Sequence, residues 1–457
     1  FTLFTSGVIM SQHVLFENTK PTKLFWMVTI PGIISMLVSS LYYTIDGIFV
    51  GQVLGADAFA ALSLALPLVI INFSVADLIG VGSAVHISLK LGEKDEPTAC
   101  SIFTSACLLI VIASTILGGI LFFFAEDILH LMGANKVLVD LGSQYLKTYA
   151  ICSPLTTSMF AVDNYLRICG RVHYSMFLNI FMSVLCAVIE FVFLFLFGFG
   201  IWGAALACCI GIGVSTILGF LPFLRGNMQL RFVKPVFRPK MLFLIISSGL
   251  PTFLNNIAGR LFSLIMNVVL LHIGGAPAVT AYSVLLFADG FVQPVLYGLC
   301  DSLQPAIGYN WGAKNYRRVK ALIYRCVLAC ATISIAMTVS IFLGKSLLVA
   351  LFIPSPDSTL LKLSSQALEI GCFAYLTRWI SLAGQSLFSA IGHAAYATII
   401  SVSMALFFPL VLLVILKDFG LTGLWLNLPL TCLLSAFLCV ILYLFWKGQK
   451  IRLPFSD

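Results

Sequence analysis

Seven carboxyl groups lie inside long apolar stretches of the chain. An ionisable side chain at the centre of a bilayer costs about 2.5–3.5 kcal/mol, so a carboxyl group there usually serves a function or has a partner. The seven are Asp46, Asp77, Asp163, Glu190, Asp289, Asp301 and Glu369. For Asp163 and Asp301, which fall near the ends of their stretches, a structural role is favoured. The candidate polar residues of a cavity are Asp77, Asp163, Asp289, Lys147 and Glu369.

Asp46 and Glu190 are the strongest pair of candidates. Both fall in the outer third of their apolar stretches, so the sequence predicts them at a similar depth. Burial and a neighbouring like charge both favour the protonated form of a carboxyl group. Two carboxyl groups at one depth can therefore bind and release protons, which is the chemistry that a proton-coupled process needs. The alternative is a structural pairing of these carboxyl groups with Lys147, which lies in the outer half of the fourth stretch.

The composition places these residues in a membrane. Of the 457 residues, 60% are hydrophobic and 10% are charged, whereas a soluble domain carries about 25% charged residues. Soluble enzymes, disordered chains and nucleic-acid-binding proteins are therefore excluded. The apolar runs are long and unbroken, unlike the short alternating strands of a β-barrel. The sequence predicts an all-α polytopic membrane protein.

Twelve stretches are long and apolar enough to cross a bilayer, which needs roughly 20 residues. The predicted spans are 24–50, 58–84, 99–124, 138–166, 172–197, 201–224, 241–271, 278–304, 319–344, 360–388, 394–416 and 421–446. A basic, proline-bearing break at 225–240 predicts a cytoplasmic linker between an N-lobe at 24–224 and a C-lobe at 241–446. The remaining tails are 1–23 and 447–457, and residues 1–9, which precede Met10, are interpreted as foreign to the natural chain.

The distribution of Lys and Arg predicts the orientation. Nineteen of the 26 basic residues fall on one side of the predicted spans and four on the other. Because basic loops face the cytoplasm, both termini are predicted to be cytoplasmic.

The two halves are predicted to be parallel repeats. A shift of 220 residues places Pro31 on Pro251 and Lys94 on Lys314, and it places the run 55–58 on 275–278. A shift of 222 places Gly170 on Gly392. Each match is weak alone, but they share one register along a whole half. Such repeats place a substrate site between the halves, near the midplane.

Other motifs argue against an enzyme. The 13 Cys residues contain no CxxC pair and are expected to pack as small apolar side chains. The six His residues form no HExxH motif, so no metal site or cofactor is predicted. The run 198–203 matches GxGxxG, but it joins two predicted spans and is interpreted as a tight turn. An intramembrane enzyme would need a clustered catalytic set, and ATP-driven transport would need a phosphate-binding loop; the sequence has neither.

Four stretches resemble the multidrug and toxic compound extrusion family, in its bacterial DinF-like and MepA-like branch. They are 46–61, Arg167-Ile168-Cys169-Gly170, the run 200–207, and the most specific, Gln304-Pro305-Ala306-Ile307-Gly308-Tyr309-Asn310-Trp311-Gly312-Ala313-Lys314. The likeness covers about residues 20–447. It implies two six-helix lobes in a V-shaped arrangement that export drugs in exchange for H⁺ or Na⁺.

The resemblance also implies roles for particular residues. Asp46 matches the cation-coupling Asp of the family, and Glu190 falls where archaeal relatives have an Asp. Cys186 and Cys208 replace a neutral Asn and Thr of those relatives. Because soft sulfur is a poor ligand for the hard Na⁺ ion, these replacements favour H⁺. The helix 7 Glu of sodium-coupled relatives falls near Gly259, so a cation site in the C-lobe is not expected.

The sequence thus predicts an antiporter of the cell membrane that exports amphiphilic organic cations in exchange for H⁺ by alternating access. Its predicted site comprises Asp46, Glu190, Cys186 and Cys208. The expected partners are cationic drugs or toxins and membrane lipids, with no nucleic acid, and the protein is expected to be a monomer. Two alternatives stay open: a Na⁺-coupled drug antiporter, and a flippase for lipid-linked oligosaccharides of the same superfamily.

Overall fold

Lipid offers no hydrogen-bond partners to the backbone, so apolar segments that cross it fold into helices. The computed structural model describes residues 14–352 and 358–448, and the regular structure of these residues is entirely helical. Residues 1–13 and 449–457, which include the segment 1–9 and most of the C-terminal tail, lie outside the described residues.

The first half forms six long helices. They are α1 (Pro21–Leu54), α2 (Ala56–Gly92), α3 (Glu96–Leu131), α4 (Lys136–Ile168), α5 (Val172–Phe191) and α6 (Ile201–Leu224). A π-helical turn, Val192–Leu196, continues α5. Each of the six predicted spans of this half corresponds to one helix, and most of the helices extend a few residues beyond the predicted limits.

The second half repeats this pattern with more interruptions. The helical stretch Pro239–Asp301 contains one non-helical residue, Gly275, which separates α7 (239–274) from α8 (276–301). The following helices are α9 (Gln304–Gly312), α10 (Tyr316–Phe352), α11 (Ser358–Gly371), α12 (Tyr375–Ala390), α13 (Ala394–Val402), α14 (Phe408–Leu416) and α15 (Gly420–Gly448). The six crossings are α7, α8, α10, α11 with α12, α13 with α14, and α15, so the prediction of twelve transmembrane segments is confirmed.

Hydropathy alone identifies fewer crossings than the fold contains. In the described part of the chain, eight helical stretches are long and apolar enough to span a membrane, and two of them, Pro239–Gly312 and Ala394–Gly448, have 74 and 55 residues and so hold two crossings each. Neither α4 nor the α11–α12 segment is among the eight. For α4 the cause is its position: it packs against α2, α3 and α6, so its polar side chains face protein.

The backbone confirms the internal repeat. Gly55 and Gly275, which a shift of 220 aligns, both have positive φ angles, of 87° and 66°. Lys94 and Lys314 are the two non-glycine residues with positive φ in the described chain, at 62° and 58°. A left-handed Lys is uncommon because its Cβ crowds the backbone. The same rare conformation at equivalent positions shows that the turns before α3 and α10 have the same backbone geometry.

The chain divides into two compact units. The first contains residues up to Gly249 together with Gly308–Lys314, and the second contains Leu250–Ile307 and the residues from Asn315 onward. The predicted linker 225–240 lies within the first unit, where an extended segment runs along α3. Thr104 Oγ1 accepts a hydrogen bond from the backbone N–H of Val233 at 3.0 Å, and Ser105 Oγ accepts one from Val236 at 3.0 Å.

Two glycines allow very close backbone contact within the first unit. A Cβ atom on Gly92 would lie 2.1 Å from the carbonyl oxygen of Tyr309, and one on Gly312 would lie 2.2 Å from that of Leu89. Both distances are far below van der Waals contact, and the obstructing atoms are backbone atoms that cannot rotate away. The ends of α2 and α9 can therefore pack together only with glycine at both positions.

We expect Gly92→Ala to destabilise the first unit by about 1–3 kcal/mol, the typical cost of overpacking. Gly119→Ala on α3 is the matched control, because a Cβ there meets nothing within 4 Å and Ala favours a helix. Thermal unfolding of the purified variants in detergent measures the difference. Equal melting temperatures for the two variants would contradict the close contact.

Candidate functional site

Asp46 and Glu190 come together in the interior of the first unit. Asp46 lies on α1 and Glu190 lies on α5, two helices that pack against each other. Asp46 is 5% exposed and Glu190 is fully buried. The two carboxyl groups lie within interaction distance of each other. The sequence placed them at one depth, and the fold places them side by side.

Within the described residues, no Lys or Arg side chain forms an ion pair with Asp46 or Glu190. In the described residues, Asp46 Oδ1 and both carboxyl oxygens of Glu190 are buried without a hydrogen-bond donor. A carboxylate can only accept hydrogen bonds, so two facing carboxylates can bond to each other only when one carries a proton. Burial of unpaired negative charge is costly. The pair therefore requires a proton or another cation.

Two phenols and two thiols surround the carboxyl groups. Tyr42 precedes Asp46 by one helical turn, and its hydroxyl is buried without a partner. Tyr42 and Tyr145, from α4, both lie within electrostatic range of the two carboxyl groups. Neither tyrosine was predicted from the sequence as a site residue. For Tyr42 a signal existed, because residues four apart share one face of a helix.

Cys186 and Cys208 lie beside the pair, as the sequence predicts for site residues. The Cys186 thiol is 3.6 Å from the Cys208 carbonyl oxygen, which accepts its hydrogen bond. A Cβ on Gly211 would lie 2.3 Å from Cys186 Sγ. The glycine thus lets α6 approach α5 closely enough to bring both sulfur atoms to the carboxyl groups.

The pairing of these carboxyl groups with Lys147 is wrong. Lys147 Nζ bonds to Glu126 Oε1 on α3 at 2.5 Å, and both side chains are substantially exposed. Lys147 lies in the first half of α4 and faces α3, away from the pair. The corresponding helices of the second half carry the same link with the charges exchanged: Lys345 on α10 pairs with Glu369 on α11.

Asp163 and Asp301 have structural partners, as their positions predict. Asp163 forms an ion pair with Arg167 at 2.8 Å and accepts hydrogen bonds from Ser175 at 2.5 Å and Asn179 at 2.7 Å. Asp301 accepts hydrogen bonds from Gln304, at 2.8 Å, and from Ser386. Asp77 is half-buried on α2.

Asp289 has a partner that the sequence analysis did not assign. Its Oδ1 lies 2.6 Å from an Nη atom of Arg378 on α12, with side chains 14% and 10% exposed. Arg378 falls inside the predicted span 360–388, and a buried base calls for a buried acid, but the sequence pattern does not indicate which acid. In the described second unit, Asp289 and Glu369 each pair with a base, unlike the carboxyl pair in the first unit.

The comparisons with known proteins agree with this architecture. The sequence model of the MatE family matches residues 31–192 and again 251–415, so the two matches begin 220 residues apart, which is the shift of the internal repeat. The chain is 27% identical over 444 residues to the multidrug export protein MepA of Staphylococcus saprophyticus, covering 94% of this chain and 96% of the relative. The MepA of Staphylococcus aureus is 26% identical with the same coverage.

Solved structures show the same fold. A MATE protein in complex with MaL6 superimposes with a TM-score of 0.89 at 19% identity, covering 97% of this chain and 98% of the other. An outward-facing multidrug resistance MATE transporter of the MOP superfamily gives the same score and identity, with coverage of 96% and 98%. A family match over both halves, together with twelve transmembrane segments, shows that this chain belongs to the MatE family of membrane transporters.

Proposed function

We propose that this transporter exports amphiphilic organic cations in exchange for protons, by alternating access. The observation that carries the proposal is the buried Asp46–Glu190 pair, which has no cationic partner in the part of the chain that the structure describes. Either a proton or the positive charge of a substrate can neutralise the pair. The two then compete for one site, and each biases the protein toward the conformation that it stabilises.

The surrounding atoms support H⁺ over Na⁺ as the coupling ion. Na⁺ is a hard ion that prefers oxygen ligands, and thiols are poor ligands for it. Beside the carboxyl groups, Cys186 and Cys208 contribute sulfur side chains. A proton needs no coordination shell, and two adjacent carboxyl groups suffice to hold it.

The first unit is the proposed place of coupling because its carboxyl pair is uncompensated. In the second unit, Arg378 supplies a permanent positive charge to Asp289. Arg remains protonated at any physiological pH. Asp289 therefore gains nothing from a transported proton, whereas Asp46 and Glu190 do.

The relatives support the substrate class. The two MepA proteins are named as multidrug exporters and align over nearly the whole chain. The fold alone does not decide the substrate. A MOP superfamily transporter from Pyrococcus furiosus superimposes with a TM-score of 0.89, yet the reversed polarity of its binding pocket suggests a different function for that protein. Here the charge at the proposed site in the first unit is negative, which suits cationic substrates better than the anionic pyrophosphate groups of lipid-linked sugars.

We place the protein in the cell membrane as a monomer with cytoplasmic termini.

Efflux should follow a proton gradient without Na⁺. One pH unit supplies about 1.4 kcal/mol per proton, so drug transport in proteoliposomes should rise with an imposed pH gradient and stop when a protonophore collapses it. Separate Na⁺ and pH gradients, each imposed at zero membrane potential, provide the measurement. Transport that requires Na⁺ and ignores the pH gradient would establish the Na⁺-coupled alternative.

Substrates should be cations. Expression in a host that lacks its own drug pumps should protect growth against ethidium-like dyes, because their positive charge can compensate the Asp46–Glu190 pair. Uncharged and anionic dyes of similar size serve as controls. Movement of anionic or lipid-pyrophosphate substrates alone would favour the flippase.

Asp46→Asn and Glu190→Gln should each reduce gradient-driven efflux to the level of passive leak. Both changes keep the size of the side chain and remove the proton site, so folded protein should remain in the membrane at wild-type abundance. Glu126→Gln is the matched control, since Glu126 belongs to an exposed ion pair of the same unit. Wild-type transport in both site variants would refute the assignment.

Drug affinity should depend on pH only while the carboxyl groups of Asp46 and Glu190 are intact. A proton that displaces the drug from the carboxyl pair weakens binding by up to about tenfold for each unit that the pH falls. Equilibrium binding of a fluorescent cation to the purified proteins measures this slope. Asp46→Asn should flatten it, while Glu126→Gln should leave it unchanged; a slope that persists in Asp46→Asn would place the competing proton elsewhere.

A further inference from the structure

Three cysteines cluster in the second unit, apart from the proposed coupling site. Cys300 lies at the end of α8, and Cys326 and Cys330 lie one turn apart on α10. The Sγ atoms of Cys300 and Cys330 are 3.6 Å apart, those of Cys326 and Cys330 are 4.0 Å apart, and all three lie within 4.8 Å of one another. In the described residues this is the one group of three potential metal ligands at such distances.

We propose that Cys300, Cys326 and Cys330 form a binding site for a soft divalent metal ion of the Cd²⁺ or Hg²⁺ type. The distances suit three sulfur ligands around one ion: with metal–sulfur bonds of about 2.3 Å, the length for Zn²⁺, a trigonal arrangement places the sulfur atoms about 4.0 Å apart. The longer bonds of larger ions need a slightly wider triangle, and the three Sγ atoms lie within 4.8 Å of one another. Sulfur ligands select soft ions, and the three thiols supply no oxygen for Na⁺ or Mg²⁺.

Charge balance explains why the ion should be divalent. All three cysteines are buried, with exposed fractions of 2%, 6% and 0%, so a complex with net charge would be costly there. One divalent ion that binds two thiolates and one neutral thiol forms a neutral complex. Two S–H bonds break, two metal–thiolate bonds form, the third thiol donates a lone pair, and two protons leave.

The cluster lies toward the basic end of the unit. Cys326 follows the first residue of α10, Tyr316, by ten residues, which corresponds to about 15 Å along a helix. It is also the most exposed of the three thiols. An ion bound to all three thiols joins α8 to α10 by direct coordination.

Titration of the purified, reduced, full-length protein with Cd²⁺ tests the site. In competition with a chelator, we expect one tightly bound equivalent, with a thiolate-to-metal charge-transfer band and the release of two protons. Cys300→Ser and Cys330→Ser replace soft sulfur by hard oxygen and should weaken this binding at least about tenfold. Cys439→Ser is the control, because Cys439 is a buried thiol on α15 that donates to the Ile380 carbonyl oxygen and lies outside the cluster.

Unchanged tight binding in Cys330→Ser would overturn the proposal, and so would equal losses in Cys330→Ser and Cys439→Ser. X-ray absorption at one equivalent of Cd²⁺ gives a test on the wild-type protein that does not depend on the folding of a variant. Three sulfur neighbours are expected. A first shell of oxygen or nitrogen, or of fewer than three sulfur atoms, would refute the site whatever ion drives transport.

Discussion

The hydrocarbon interior of a membrane leaves every polar group dependent on partners within the protein. Most buried polar groups of this transporter obey that constraint locally. Ser and Thr hydroxyls donate to backbone carbonyls one turn earlier, as Thr29 does to Phe25 at 2.8 Å. Buried acids find bases or amides, as Asp163 and Asp289 do. Among the acids of the described residues, Asp46 and Glu190 stand out because three of their four carboxyl oxygens are buried without a donor.

An unpaired buried acid persists in a folded protein only when something else stabilises its environment. Here the two carboxyl groups come from helices that are held by close packing, which Gly211 permits at the contact of α5 with α6. The tyrosines and cysteines around the pair are weakly polar, so they accommodate the carboxyl groups in their neutral form without supplying a fixed counter-charge. The site is thus arranged to respond to a mobile positive charge.

Local pattern in the sequence was sufficient for much of the fold. Apolar length predicted the twelve crossings, and weak matches at constant shifts predicted a repeat that the shared left-handed conformation of Lys94 and Lys314 bears out. The adjacency of Asp46 and Glu190 was accessible because helix depth follows from counting residues. Counting residues could not predict which acid pairs with which base. Lys147 and Arg378 each had several acids at compatible depth, and only the rotation of each helix about its axis selects Glu126 for one and Asp289 for the other.

The two ion pairs with exchanged charges, one in each unit, bear on how the internal repeat evolved. Glu126 with Lys147 in one unit, and Lys345 with Glu369 in the other, join equivalent helices with opposite polarity. If both descend from one ancestral pair after gene duplication, a direct exchange of either charge would have placed like charges together. An intermediate with an uncharged residue at one of the two positions avoids that repulsion. Relatives that carry an uncharged residue there would be evidence for such an intermediate. Both units thus keep a link between the two helices, irrespective of which helix carries the acid.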